Sequence, residues 1–331
     1  MKKPLVSIIT PCWNGEEYVA RYFESILAQT YDCIEVIFVN DGSTDRTEEI
    51  ALMYGDRLKN KGYGFTYIFQ ENSGQAAALN AGLKIFKGDY LTWPDSDDFL
   101  TPNSVEKRVV FLEYNREFGF VRSDGYLYEE SDLRRPKGFI SGRNPNRFND
   151  KLFDDLVLER TFVANGCYLV RTDELLKVNP NRKIHESRAG QNWQMLLPLS
   201  FSSRCGFIDE PLYCVVIRNR SHSRAHSTLK QQIERTYELK HLLEYVVFSL
   251  NVDVYEYQRI IEEKYSHRLL RLAGNYGDPA LAKKSLQYLK KFNSVGRVDR
   301  LYYLMSLTPI TRLLGKCIFR TKQLLAHKSR F

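Results

Sequence analysis

The sequence predicts an α/β protein, with a mainly parallel sheet whose strands are joined by helices and a C-terminal region made only of helices. Three observations carry that prediction. β-Branched runs alternate with helical patterns through roughly the first hundred residues, and turn and capping residues punctuate each change. Beyond about Leu229, leucine and tyrosine recur at three- and four-residue spacing with no further strand pattern.

The elements follow in order. Residues 5–10 (LVSIIT) form a short β-branched run, closed by Asn14-Gly15, and a helical pattern follows on Tyr18, Tyr22, Phe23, Ile26 and Leu27. Residues 34–39 (IEVIFV) read as a second strand, apolar toward its end as a buried parallel strand is. Asp41-Gly42 makes the turn, and Ser43, Thr44 and Asp45 supply caps for a helix to about Tyr54. A third strand over 65–69, an alanine-rich helix over 74–86 and a fourth strand over 89–93 come next. The helix over 102–117 has Pro102 in its first turn, where a missing N–H does no harm. Phe120-Val121 and 126–128 are short strand candidates, and 134–147 has the Gly, Pro, Asn and Arg content of a mobile loop. Residues 161–170 and 206–218 read as strands around a helix over 193–200. The expected domain boundary falls near residue 228.

Composition narrows the function. The 331 residues are 43% hydrophobic, enough for one large core and a smaller appendage. The six cysteines are scattered with no CxxC pair, so they read as reduced thiols and not as a disulfide frame or a zinc site. Pro4, Thr10, Cys12 and Asn14 interrupt any signal-peptide core, and no apolar run approaches the ~20 residues that span a bilayer. The expectation is a cytoplasmic protein. A net charge of +8 implies an anionic partner, with the basic excess gathered toward the C-terminus.

The strongest chemical signal is Trp93-Pro94-Asp95-Ser96-Asp97-Asp98, three carboxylates in four residues directly after an apolar strand. Ligands of such sheets sit at the carboxyl ends of strands, and crowded negative charge there asks for a cation or a donor-rich ligand. Hard oxygen ligands favour Mn²⁺ or Mg²⁺, which can hold a diphosphate. The plainer reading is a solvated acidic turn before the helix at Pro102. Residues 39–45 (VNDGSTD) end the second strand with a carboxylate able to accept from a base N–H, or serve as an ordinary Asx turn. Residues 10–17 (TPCWNGEE) put a planar ring and polar groups at the end of the first strand.

Taken together these segments resemble the family 2 glycosyltransferases, whose GT-A fold is a Rossmann-like nucleotide-sugar domain. The matching stretches are residues 6–17, 39–45, 72–82 (NSGQAAALNAG) and 88–98 (GDYLTWPDSDD). By that resemblance Thr10, Pro11, Trp13 and Glu17 line the nucleotide pocket and Asp41 reads the uracil edge. Asn72, Gly74 and Asn80 match the loop and helix beside the donor. Asp95 and Ser96 match donor-binding positions and Asp97 the metal-binding carboxylate. The family often has Arg where this chain has Leu79, so a guanidinium contact to the diphosphate is not implied there. In 213–227, which resembles the closing strand and loop, His222 matches a contact to the metal or diphosphate, with Arg220 or Arg224 nearby.

One departure matters. Many members carry a Glu-Asp pair whose Asp deprotonates the acceptor hydroxyl, but the corresponding stretch here is Gly190-Gln191-Asn192-Trp193. An amide does not take up that proton. Either another carboxylate serves, Glu186 first and Asp124 second, or the site binds without turnover; Gln191 and Asn192 remain able to hold acceptor hydroxyls. The resemblance implies an inverting transfer from a nucleotide-sugar, a UDP-sugar, to a hydroxyl of a glycan or lipid-linked glycan in surface polysaccharide biosynthesis. The expected division is a GT-A domain over 1–228, with a donor half to about 118 and an acceptor half over 119–228, then helices over 229–331. From Val298 onward, Leu, Tyr, Met and Ile alternate with Arg300, Arg312, Lys316, Arg320, Lys322, Lys328 and Arg330. As a helix this is basic and amphipathic, suited to an anionic surface at the inner face of the cell membrane; the plainer reading is a bundle packed on the first domain with a solvated basic face. The competing expectation is a non-catalytic nucleotide-sugar-binding or scaffold subunit. Nucleic acid is not an expected partner, because carboxylates stand where phosphates would lie.

Overall fold

A strand covered on both faces has no outward positions to fill with charge, and β1 (Val6–Cys12) is buried at all seven residues. Its hydroxyls are taken up inside the fold, Ser7 by Glu35 and Thr10 by Tyr22. The computed structural model describes residues 3–187, 190–218 and 228–328, and the chain divides into two compact units, Met1–Ser221 and His222–Phe331.

In the first unit, α1 (Val19–Leu27), β2 (Ile34–Asp41), α2 (Thr47–Asn60), β3 (Gly64–Gln70), α3 (Gln75–Leu83) and β4 (Tyr90–Thr92) continue the alternation. β3, β2, β1 and β4 lie side by side and parallel, with Val6 opposite both Ile34 and Tyr90. After β5 (Phe99–Leu100), α4 (Ser104–Tyr114), β6 (Phe118–Glu129) and β7 (Gly138–Phe139) come α5 (Phe153–Val157) and β8 (Tyr168–Arg171). α6 (Thr172–Val178), α7 (Gln191–Ser202) and β9 (Arg204–Ile217) complete the unit. The sheet order is β3-β2-β1-β4-β8-β6-β9-β5, with β7 on β6. β8 runs antiparallel to β4 and β6, and β6 is parallel to β9.

The two short strand candidates near residues 120 and 126 are one long strand, β6. Arg122, Ser123 and Asp124 break its apolar pattern, yet all three are buried, and the register against β9 shifts on either side of Asp124. Arg122 stays inside by donating to Thr161 Oγ1 (2.5 Å) and the Arg147 carbonyl (2.9 Å), with its guanidinium 4.7 Å from the Phe162 ring. The segment 134–147, read as a loop, is tied down: Ser141 to Asp124, and Arg143 and Arg147 to Asp209. Of residues 161–170 only the last three join a strand. Before them Asn165–Cys167 is a tight 3₁₀ turn held by Arg108, which is fully buried on α4. Arg108 donates to the carbonyls of Gly166 (2.7 Å) and Tyr168 (3.1 Å), and burial lowers its pKa to about 10.

The second unit holds α8 (Leu229–Phe248), α9 (Val254–Tyr276), α10 (Pro279–Lys291), α11 (Arg297–Leu307) and α12 (Pro309–Lys328). Thr228, Asp253 and Asp278 accept from the first-turn N–H groups of α8, α9 and α10, as the capping residues in the sequence require. α9, α10 and α11 close on Leu270, Ala273, Ala282 and Leu289. Among the described residues no helix is long and apolar enough to cross a membrane.

Candidate active site

The ends of β1, β2 and β4 deliver the polar groups, because in a parallel arrangement the loops after these strands leave from one edge. Thr10 and Pro11 are buried within β1, the Thr10 hydroxyl 2.5 Å from that of Tyr22. Trp13, just past the strand, is 41% exposed, so its indole is a surface and not core filling. Glu17 is exposed and lies 3.8 Å from Arg218. Asp41 ends β2 and organises the turn into α3. Its carboxylate accepts from Gln70 Nε2 (2.7 Å) and from the N–H groups of Ser73 and Gly74 (both 2.9 Å), while Asn72 donates to its carbonyl (3.1 Å). Gly42 has φ +72°, and a Cβ there would meet the Asn72 nitrogen at 2.6 Å, so only glycine lets this turn close.

The three aspartates after β4 have different jobs. Asp98 is buried; its oxygens accept from Tyr213 Oη (2.9 Å) and the Val216 N–H (2.8 Å). Burial, then the charges of Asp97 and Asp95, push its carboxyl well above the usual range. It is a pin between the acidic turn and β9. Asp95 donates its N–H to Tyr213 Oη (3.2 Å), and its Oδ1 accepts from Gln75 Nε2 (2.8 Å) and Asn165 Nδ2 (2.9 Å). Its carboxyl is pushed up to about 7, by burial first and by Asp97 second. Asp97 is raised too, by burial, against the opposing pull of Arg218. Arg218 Nη1 lies 3.7 Å from Asp97 Oδ2, and Arg21 donates to the Asp97 carbonyl (2.5 Å). Ser96 is buried and hydrogen-bonded to the Cys12 thiol, which burial pushes up to about 12.

The residues expected on the acceptor side are reached through amides. Asn80, expected beside the donor, is buried and clasps Ile184 in both directions, donating to its carbonyl (2.9 Å) and accepting from its N–H (2.8 Å). Gln194 clasps the His185 backbone the same way, at 2.6 and 2.9 Å. Glu186 follows directly, half exposed and 3.4 Å from Lys183 Nζ. At the start of α7, Gln191 donates to Gln75 Oε1 (2.6 Å), and Trp93 Nε1 donates to Asn192 Oδ1 (3.1 Å). Asp124, the second candidate base, is placed otherwise. It has no exposed surface, and its oxygens accept from the N–H groups of Gly125 and Ser141 and from the Ser141 hydroxyl. It anchors a loop and presents nothing to an acceptor. His222, with Arg220 and Arg224, lies outside the described residues.

Sequence reasoning passed over Gln75, Asn165, Gln194, Tyr213, Arg21 and Arg218. Gln75 sits inside the 72–82 motif and Tyr213 and Arg218 inside the closing strand, whereas Asn165 was hidden in a stretch read as strand. A divalent cation fits what is present. Among the described residues no three His, Cys, Asp or Glu side chains gather into a cage, but Mg²⁺ or Mn²⁺ needs only one or two carboxylates and substrate phosphates. The raised Asp95 and Asp97 offer hard oxygens whose ionised form a cation would favour.

The same shifts set a pH dependence. A folded-state pKa above the ~4 of an unfolded aspartate means ionisation favours unfolding. The penalty is absent below that unfolded value and grows with pH until Asp95 ionises in the folded protein at about 7. Asp95→Asn keeps an acceptor oxygen for Gln75 and Asn165. In urea titrations with EDTA, the variant's stability relative to wild type should rise from about pH 4 to about pH 7 and then level off. A difference independent of pH would contradict the burial argument.

With this geometry in view, comparison with known proteins is direct. The family model described as "Glycosyl transferase family 2" matches residues 7–177. An uncharacterised glycosyltransferase of Rickettsia typhi is 48% identical over 109 residues, 33% of this chain and 32% of the relative. One of Rickettsia bellii is 49% identical over 174 residues, covering 50% and 23%. Glycosyltransferase GlyA of Streptococcus pneumoniae is 37% identical over 132 residues, covering 37% and 18%. The matched segment thus spans a third or less of each of these relatives. Among solved structures, Staphylococcus aureus TarS 1–349 in complex with UDP-GlcNAc aligns with TM-score 0.62 at 15% identity, over 96% of this chain and 92% of TarS. Mannosyltransferase PcManGT from Pyrobaculum calidifontis, in complex with GDP-Man and Mn²⁺, aligns with TM-score 0.55 at 15% identity, over 96% and 87%. At that identity the likeness is one of fold, the GT-A arrangement. The family match covers more than half of the sequence, and the chain belongs to glycosyl transferase family 2.

Proposed function

We propose that the chain is an inverting glycosyltransferase. It takes a sugar from a nucleotide-sugar, a UDP-sugar, and transfers it to a hydroxyl of a glycan or lipid-linked glycan in surface polysaccharide biosynthesis. The observation that carries this reading is the Asp95–Asp97 pair: half-buried, raised in pKa and fixed at the strand ends beside the guanidinium groups of Arg21 and Arg218. A solvated acidic turn would have none of these features. The nucleotide-sugars and Mn²⁺ named with TarS and PcManGT support the same donor class.

In this reading the exposed Trp13 indole, Glu17, Asp41 and the Asn72–Gly74 turn receive the nucleotide, with Asp41 accepting from the base. Asn80 acts at one remove, by fixing Ile184. Asp95 and Ser96 hold the donor, and Asp97 would hold Mn²⁺ or Mg²⁺, with His222 as a further ligand. A bound divalent ion would offset the charge of the leaving diphosphate. Arg21 and Arg218 add fixed positive charge beside Asp97, where that charge develops. Glu186, held next to the clasped backbone of His185, takes the acceptor proton, while Gln191 and Asn192 hold acceptor hydroxyls.

The amide pair at 191–192 also favours a second reading, a binding or scaffold subunit without turnover. Turnover separates the two.

The C-terminal helices support a membrane-facing role. Ile310, Leu313 and Leu314 are 58–73% exposed on α12. From residue 298 to the end there are seven Lys and Arg and one acid, Asp299, which is buried against His267. Each basic residue near an anionic surface contributes about 1 kcal/mol, which supports a reading of the protein as bound at the inner face of the membrane.

Three measurements test these statements. In thermal unfolding with UDP, GDP or CDP, with and without Mn²⁺, UDP plus Mn²⁺ at about 100 times its Kd should stabilise wild type by about 2.7 kcal/mol and leave Asp97→Ala unchanged. No shift with any nucleotide would end the donor-site reading. With UDP-sugars and lipid-linked acceptors, Glu186→Gln should keep nucleotide affinity and lose roughly 10²–10⁴-fold in kcat; nucleotide binding by wild type with no release of UDP would favour the scaffold reading. On sedimentation with vesicles, wild type should bind phosphatidylglycerol-containing but not neutral bilayers, and Ile310→Ser/Leu313→Ser/Leu314→Ser should bind neither. Equal binding of the triple variant would remove this face from the proposal.

A further inference from the structure

The two helices that begin at the site do so in the same way. Gln75 is the first residue of α3 and Gln191 the first of α7, and each follows a glycine at positive φ, Gly74 at 90° and Gly190 at 74°. Neither helix has an acidic first turn or a side-chain cap. The two glutamines, 116 positions apart, therefore have no local duty, and they meet each other at 2.6 Å.

The direction of the bonds between them follows from Asp95. The end of Gln75 that faces Asp95 Oδ1, at 2.8 Å, is its NH₂ group, which donates to that oxygen. That leaves the Gln75 carbonyl turned to Gln191, which must then present its own NH₂. Gln191 is left with its carbonyl as the outer end of the line. The second amide on Asp95 Oδ1, from Asn165 at 2.9 Å, fixes the same oxygen from the opposite side of the sequence, on the turn that Arg108 holds. Both bonds fall on Oδ1, and among the described residues Oδ2 takes none.

We propose that Gln75 and Gln191 are positioning residues, a one-way chain of hydrogen bonds by which the first turn of α7 turns Asp95 so that Oδ2 meets the donor. The proposal rests on the donor-site reading above and adds a partner to it: the stretch where the family's acidic pair is absent acts on the donor side through Gln75. A glutamate at 191 would set oxygen against oxygen at Gln75, which gives the amide there a use of its own.

The test is a double-mutant cycle on nucleotide binding, with UDP and GDP at saturating Mn²⁺ followed by calorimetry, in wild type, Gln75→Met, Gln191→Met and the double variant. Methionine keeps the length and removes the bonds. A hydrogen bond to a charged group predicts a loss of about tenfold in affinity for Gln75→Met. Gln191→Met should lose several-fold, and the double variant no more than Gln75→Met, because Gln191 reaches the nucleotide only through Gln75. Losses that multiply, or a folded Gln191→Met with unchanged affinity, would overturn the proposal. The unfolding midpoint of each free protein separates the roles further, since packing alone would lower it and leave the Kd untouched. Wild type that binds neither nucleotide would bring down the donor-site reading, and the chain of bonds with it.

Discussion

The Tyr213 hydroxyl is the contact on which the acidic turn depends. It gives its proton to a buried carboxylate, Asp98, and takes one from the backbone of Asp95, so one oxygen sets both the root and the leading edge of the turn. Room for the ring comes from Gly166, where a Cβ would stand 2.0 Å from the Tyr213 ring. Gly166 in turn is held by Arg108, whose guanidinium is buried with carbonyls and a serine for company and, among the described residues, no carboxylate. A cation in such surroundings is costly to bury, and what it secures is the geometry of a turn that carries Asn165 to Asp95. The stabilising groups and the candidate ligands are thus one connected network, with Asp98 on the structural side and Asp95 and Asp97 on the chemical side.

Much of this was legible in the sequence, and the reason is locality. The strand-end motifs of β1, β2 and β4 are contiguous runs in which apolar residues give way to Asp, Asn and Gly, and each run reports its own strand end. The parallel sheet and the C-terminal helices follow from periodicity alone. What stayed hidden joins residues about a hundred or more positions apart: Asn80 with Ile184, Tyr213 with Asp98, Gln191 with Gln75. None of these pairs leaves a pattern, because a buried amide or phenol has the same letter whether it faces a ligand or a backbone.

The errors have the same origin. Asp124, named as the second candidate base, fills the hydrogen-bonding needs of a loop root instead. β6 looked like two strands because Arg122, Ser123 and Asp124 interrupt an apolar run, and only tertiary partners make a buried arginine compatible with a strand. The acceptor-side segment before α7 was read for its charges, while its position is set by neutral amides, Asn80 and Gln194, acting on main-chain atoms.

The root at Asp124 also bears on how such a protein diversifies. The excursion from Glu130 to Lys137 leaves β6 and returns to it, Glu130 N–H bonding to Ile217 and Lys137 N–H to Leu127, with Ser141 locked onto Asp124 just beyond. Its ends are therefore fixed independently of its length. Doubling a loop costs only about 0.6 kcal/mol in closure entropy, so residues can be gained or lost there while strand register and the carboxylates after β4 stay where they are. The unit can acquire new surface at this point without renegotiating its interior.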